Sequence, residues 1–186
     1  MTIGRKSGTF SKQKDSEVMQ TLSSRNGVSA TIKETSPQLE QLVQYCSTDW
    51  DFLITRAEIN GMIAVAANNQ LNVEPPKIGS SVLTLTFGND IIEIDSTLSA
   101  NQQLEAVTAN AWDYSSQKMV ASNASSPSEP NQGNLSGDKL SKVLSPDKIN
   151  LVTTSKLESE SLTNWASAQL LKSRFSKIQG LSLIHI

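Results

Sequence analysis

Chemistry in this chain would have to come from very few side chains. There is one cysteine, Cys46, and one histidine, His185, next to the last residue. A single cysteine rules out an intrachain disulfide framework and a cysteine-based zinc site. Ser-His-Asp catalysis, His general-base catalysis and a His-bearing metal site would all rest on His185. The six residues that contain it, 181–186 (LSLIHI), read as the translation of a transposase end sequence used to fragment DNA for sequencing libraries. Segments of foreign origin are set aside in fold reasoning, so the natural text is expected to end near Gly180. A genuine terminal strand pairing on a sheet edge is the other reading of those residues.

The remaining candidates have structural explanations. Asp49 and Asp51 could form a carboxylate pair for acid–base work or for Mg²⁺. Two apart on a helix they point in different directions, and both suit the first turn of a helix capped by Thr48. Glu93 and Asp95 share a strand face, with Asp90 and Glu105 dispersed nearby, and no acid partner or metal ligand accompanies them. Cys46 falls on an apolar helical stripe, which predicts a buried small hydrophobe rather than a reactive thiol. Trp50, Trp112 and Trp165 could stack on a base or a sugar. Each lies at an apolar periodic position or a strand end, so core packing is expected. Gly4-Arg5-Lys6-Ser7-Gly8 lacks the spacing of a phosphate-binding loop and follows no strand. No catalytic residue, metal site or cofactor site emerges, and the chain is not expected to be an enzyme.

Composition narrows the classes further. The 186 residues suffice for one domain with a real core, or for part of a larger one. Sixteen basic and eighteen acidic residues leave a net charge of −2, which gives no footprint for a phosphate backbone. Charged residues make up 18%, and the 28 serines fill the space that charge usually takes. No apolar run approaches the ~20 residues that span a bilayer. The first ten residues carry basic side chains but no apolar core of a secretory signal.

The elements that must position these residues follow from periodicity. Val18, Met19 and Leu22 predict a short helix from Lys14, capped at Asn26-Gly27. Residues 28–34 alternate as a half-buried strand. Ser36-Pro37 predicts the start of a helix carrying Leu39, Leu42, Val43 and Cys46 on one face. A second helix starts at Thr48, carries Trp50, Leu53, Ile54 and Ala57, and stops at Asn60-Gly61. Asn68-Asn69 between residues 62–67 and 70–74 signals a hairpin. Strands are expected over 82–87, 91–94, 103–112 and 117–121, with turns at 88–90 and 113–116. Residues 122–137 contain only Ala124 and Leu135 as apolar residues and predict a loop or flexible insertion. Leu140, Val143 and Leu144 hint at a short helix. The clearest helix starts at Ser161 and carries Leu162, Trp165, Ala166, Leu170, Phe175 and Ile178, with Lys172, Arg174 and Lys177 near its end. Gly180 stops it, and an apolar tail without a partner strand follows. No internal repeat is visible. The expected class is α+β, short helices packed on antiparallel sheets rather than a regular βαβ series.

Three strings together resemble one family: Tyr45–Gly61 (YCSTDWDFLITRAEING), Leu85–Val120 and Leu162–Gly180. It is the family of VgrG proteins of type VI secretion and related contractile injection systems, relatives of phage late-control D and baseplate-hub proteins. The match rests on Asp49, Trp50, Asp51, Phe52, Arg56, Ala57, Glu58, Asn60 and Gly61, on Gly88, on Trp112-Asp113, and on Ser173-Arg174 with Ser176, Ile178 and Gly180. Phe87 stands where the family often has Tyr. The resemblance covers roughly residues 1–180. It implies a partial N-terminal hub domain with barrel-like sheet subdomains and a flexible insertion at about 122–137, to which neck and needle modules would be joined. It further implies a homotrimer that links an Hcp-like tail-tube protein to the spike, beside other baseplate proteins, with effectors attached through C-terminal modules. Assembly would occur in the bacterial cytoplasm, followed by secretion or release within the particle. No nucleic acid or membrane span is expected. The competing expectation is a stand-alone carbohydrate- or surface-binding β-rich module, which exposed, coplanar Trp50 and Trp112 would favour.

Overall fold

Val18, Met19 and Leu22 give the first helix a fully buried stripe, and the rest of the amino-terminal half assembles around it. The computed structural model describes residues 1–77, 79–81, 83–127, 134–143 and 148–184. In chain order the first half contains β1 (Lys6–Lys14), α1 (Asp15–Arg25), β2 (Ser29–Ile32), β3 (Gln38–Ser47), α2 (Asp49–Ile59), β4 (Ile63–Ala67) and β5 (Gln70–Glu74). The second contains β6 (Ile91–Leu98), β7 (Ala106–Asp113), β8 (Lys118–Asn123), α3 (Gly137–Ser141), β9 (Lys148–Thr153), α4 (Ser159–Phe175) and β10 (Ile178–Ile184).

Helices and mixed sheets make this an α+β fold. One three-stranded sheet runs β2-β5-β4 and another runs β8-β7-β9. Each has a hairpin pair and one parallel neighbour: β4 is antiparallel and β2 parallel to β5, while β8 is antiparallel and β9 parallel to β7. Alternation decides what each sheet buries. Leu71 and Val73 of β5 join Phe10, Leu53, Ala57 and Met62 in the first core. Val107, Ala109 and Ala111 of β7 face Leu162, Ala166 and Leu170 of α4 in the second. Two ribbons, β1–β3 and β6–β10, extend from these layers as separate antiparallel pairs. No sheet closes into a barrel among the described residues, so the barrel-like subdomains expected from the resemblance are open sheets here.

Local signals placed most elements. Thr48 caps α2, its hydroxyl accepting from the Asp51 N–H at 3.0 Å. Asn68 and Asn69 adopt φ of 52° and 61°, the left-handed pair that a two-residue hairpin turn needs. The strand expected over 28–34 is β2, that over 91–94 extends to β6, and α1 stops at Asn26.

Elsewhere long-range pairing overrode the local period. Residues 38–47 form β3, not a helix. Leu42 and Gln44 turn inward while Val43 and Tyr45 turn out, and β1 supplies a partner from Lys14↔Gln38 to Lys6↔Ser47. A stripe of Leu39, Leu42, Val43 and Cys46 fits either reading, and β-prone Val43 and Tyr45 sit comfortably in a strand, whereas Cys46 near its end takes φ of 45°. Cys46 is consequently exposed rather than buried. The clear strand expected over 82–87 is absent among its described residues: Leu83–Thr86 join no strand ladder, Thr86 instead closing the 86–91 turn, and Phe87 makes a single bridge to Ile91. Alternation without a partner does not make a ladder. The long helix ends at Phe175, and Ile178 opens β10, whose tail pairs with β6 instead of lacking a partner. β1 and β9 were not anticipated, and the sheets are mixed rather than purely antiparallel. The expected insertion begins inside β8; 124–127 and 134–136 carry no regular structure, 128–133 lie outside the described residues, and α3 starts at Gly137. Leu144 and His185 also lie outside them.

Candidate functional site

The motif residues of α2 converge on two buried carboxylates. Asp49, 1% exposed, opens the helix and accepts from Lys6 Nζ at 2.7 Å, Asn26 Nδ2 at 2.8 Å and Gln44 Nε2 at 3.0 Å. Arg25 Nη1 lies 3.6 Å away. The cap reading of this residue was therefore incomplete: Asp49 ties β1, α1 and β3 to the start of α2. Burial alone would raise its pKa, but the hydrogen bonds from Lys6, Asn26 and Gln44 and the Lys6 charge outweigh it and bring it down to about 2. Asp51, by contrast, is exposed, and its carboxylate accepts from the Thr48 hydroxyl.

One helical turn further, Arg56 forms a bidentate pair with Asp15 of α1, at 2.6 Å from Nε and 2.9 Å from Nη2. Asn60 donates to the same carboxylate at 2.8 Å while capping the helix end. Both charged side chains are largely buried, so every lone pair matters. Trp50 and Phe52 are half-buried against the first core, and Phe52 stacks on Phe10 with ring centroids 6.1 Å apart. Glu58 is exposed and faces Lys172 of α4 at 3.8 Å. The spacing of Asp49, Arg56 and Asn60 thus clamps α1 against α2. Asp15, Lys6, Asn26 and Gln44 were missed as partners, because only the fold brings them within reach; Asp15 offered a signal as a first-turn acid.

Gly61 follows with φ of +65°, and a Cβ there would meet Ala168 of α4 at 3.5 Å. That contact is ordinary, so Gly61→Ala is opposed mainly by the left-handed backbone. We expect a loss of roughly 1 kcal/mol, read as a lowered melting temperature. A cleft of about 410 Å³ opens beside it, lined by Ser36, Asn60, Pro75, Ser125, Asn164 and Ser167 among others. Its polar groups are largely spent on one another: Asn164 Nδ2 donates to the Ser36 carbonyl at 2.6 Å, and Ser125 and Ser167 share a hydrogen bond of 2.9 Å.

The other motif residues also serve local structure. Gly88 takes φ of +85° in the turn before β6. Asp113 ends β7, its carboxyl held below the usual range chiefly by the Ser116 hydroxyl and the Ser115 N–H. Trp112 corrects the core expectation: it is 43% exposed, on the sheet face turned away from α4, opposite Met119. Trp165 is partly buried against the second core. Ser173 is buried, and its carbonyl accepts from Gln103 Nε2. Arg174, 6% exposed, pairs with Asp138 and lies where a Cβ on Gly137 would go, fixing α3 to the end of α4. A Cβ on Gly180 would approach the Asp95 carbonyl to 2.9 Å, so close ribbon packing requires glycine there. Arg174 packs against Gly137, while α4 meets the α2 motif through Lys172 at Glu58 and Ala168 at Gly61. Among the described residues no group of three His, Cys, Asp or Glu side chains could hold a metal ion. No described helix is long and apolar enough to cross a membrane.

Asp49 makes the fold pH-sensitive in a defined direction. Its folded pKa lies below the ordinary value of 3.8, at about 2. The stabilisation, about 2 kcal/mol by linkage, is present above pH ~4 and lost as pH falls through ~2. Urea midpoints measured at pH 6 and pH 2.5 will differ, and Asp49→Asn will shrink that difference.

The fold is shared with solved tail proteins. The chain superposes on the 43 kDa tail protein of prophage MuSo2 from Shewanella oneidensis with a TM-score of 0.62 at 11% identity, covering 93% of this chain and 50% of that one. It superposes on a tail protein from Neisseria meningitidis MC58 with a TM-score of 0.59 at 14% identity, covering 95% and 52%. It thus spans about half the length of the solved structures it resembles, and at these identities the likeness is one of fold. By sequence, the Alg8 N-terminal domain family model matches residues 1–184, and the chain belongs to that family. No curated protein sequence matches it.

Proposed function

We propose that the chain is a structural subunit of a phage-tail-like contractile machine, and within that class part of the hub of a VgrG or late-control D spike. One observation carries this reading: tail-protein folds cover more than nine-tenths of the chain. The motif residues behind the resemblance support it, because those with buried polar groups spend them on internal ties rather than on a ligand. On this reading 1–180 is a partial hub domain, the assembly is a homotrimer joining an Hcp-like tube to the spike beside other baseplate proteins, and effectors join through C-terminal modules. The subunit assembles in the bacterial cytoplasm and leaves within the particle, and it turns over no substrate. Immunogold labelling of tail-like particles from the source cells tests this. Label confined to one end of the tube is expected; particles without label would overturn it.

A second reading has one observation in its favour. Trp112 and Tyr114 are both exposed, at 43% and 68%, as a glycan-stacking surface would need. Trp50 is half-buried against the first core, so it does not extend that surface.

A further inference from the structure

The β2-β5-β4 sheet ends on β4, and no described strand pairs with the other edge of β4. The hairpin fixes which backbone groups face outward there. Asn68 and Asn69 form a two-residue loop, so Ala67 and Gln70 close it as a hydrogen-bonded pair. Such pairs then alternate along the ladder. Ile63, Val65 and Ala67 spend their N–H and C=O groups on Glu74, Asn72 and Gln70, while those of Ala64 and Ala66 point to the open edge. Among the described residues no turn, cap or side-chain hydrogen bond takes up these groups.

Side chains set this edge apart from the rest of the sheet. On the face turned from the core, β5 and β2 carry Gln70, Asn72, Glu74, Ser29 and Thr31, all polar. The same face of β4 carries Ile63 and Val65, 50% and 48% exposed. Edge strands left to solvent are guarded by charge, proline or a bulge. β8 and β9, the edges of the other three-stranded sheet, carry Lys118 and Lys148. β4 (IAVAA) has no charge and no proline, and its register with β5 is unbroken. Exposed β-branched side chains beside unpaired backbone groups have the chemistry of a strand acceptor.

The cleft beside Gly61 bounds the edge at one end. Gly61 and Met62 lead into β4, and Pro75 and Pro76 follow β5, so the cleft lies at the Ile63–Glu74 end of the hairpin. Ser125, Ser167 and Ala168 of the second half wall it. A single extended segment needs only the width of one strand, about 4.8 Å, beside β4. A second copy must instead bring a folded sheet up to an edge with that wall at its end. We propose that the open edge of β4 takes up an extended segment of another protein as a fourth strand. The segment is uncharged and carries β-branched or aromatic residues at alternate positions. The backbone groups of Ala64 and Ala66 hold it, and the side chains of Ile63 and Val65 select it. The inference goes beyond the structural reading of the chain and stands whether or not the chain is found in tail particles.

NMR titration of the whole chain with the peptide KTVTITVTK tests it. Amide exchange should slow most at Ala64 and Ala66 when the peptide is added, and least at Val65 and Ala67, which already bond to β5. Ala66→Pro removes an outward N–H without touching the β5 ladder, because proline is tolerated on the open side of an edge strand. It should weaken peptide binding by at least about ten-fold. Val65→Lys leaves the backbone intact and puts a charge beside the edge, and it should weaken binding by a similar factor. Circular dichroism verifies folding, and Val65→Lys decides the matter if the proline variant fails to fold. The same peptide N-methylated at its central residues has no donors there and should not bind. Absence of peptide binding, protection elsewhere than at Ala64 and Ala66, unchanged affinity in the folded variants, or binding of the N-methylated peptide would overturn the proposal. So would a parent chain that dimerises and excludes the peptide while Ala66→Pro is monomeric, because that assigns the edge to a second copy.

Discussion

Arg56→Met will destabilise the chain by about 3–5 kcal/mol, the cost of leaving a buried carboxylate without its counter-charge. Asp15 and Arg56 have side chains 8% and 13% exposed, and their two hydrogen bonds measure 2.6 and 2.9 Å. Once the guanidinium is gone, Asp15 keeps only the Asn60 amide as a side-chain donor. It must then protonate or admit water, and either loosens α1 from α2. Removing both charges, as in Asp15→Leu with Arg56→Met, should recover most of the loss, because the desolvation penalty disappears with the charge. Urea unfolding of the three variants measures this. A single-variant loss below about 1 kcal/mol, the range of an exposed pair, would mean that the clamp is dispensable.

Truncating the two cores will have effects of similar size. Leu53→Ala and Leu162→Ala each remove a side chain with no exposed surface, and each should cost about 2–5 kcal/mol. The residues belong to separate clusters, Leu53 among Phe10, Met19 and Val73 and Leu162 among Val107, Ala109 and Leu170. The two losses should therefore add within about 0.5 kcal/mol. Hydrogen exchange separates the effects by place: Leu53→Ala should speed exchange mainly in α1 and α2, and Leu162→Ala mainly in α4 and β7. Uniform acceleration of both halves by either change would show one cooperative core instead.

What could be read from residues alone followed the range of the forces involved. Thr48 and Asn60 mark the ends of α2 because caps act within a turn, and Asn68-Asn69 gives the β4–β5 hairpin because the turn residues carry their own conformation. Three partners of Asp49 and Arg56 were hidden because Lys6, Asn26 and Asp15 lie far away in sequence and only packing brings them close; Gln44 is near in sequence, but its side chain reaches Asp49 from β3, which the local period did not show. β3 was misread for the same reason: its apolar spacing suits a helix, and the deciding term is the ladder with β1, a strand whose mixture of Lys, Ser and Gly shows little period. Leu83–Thr86 shows the converse, good alternation without a partner. Trp112 was misplaced because strand alternation tells which residues share a face but not which face a helix will cover.

On the proposed function this chain builds a particle rather than transforming a molecule. Quantitative mass spectrometry of purified tail-like particles from the source cells measures that directly. Three copies of the chain per particle are predicted, fixed against the tube protein from one preparation to the next. Its absence from the particles, with the chain recovered elsewhere in the cell, would contradict the account.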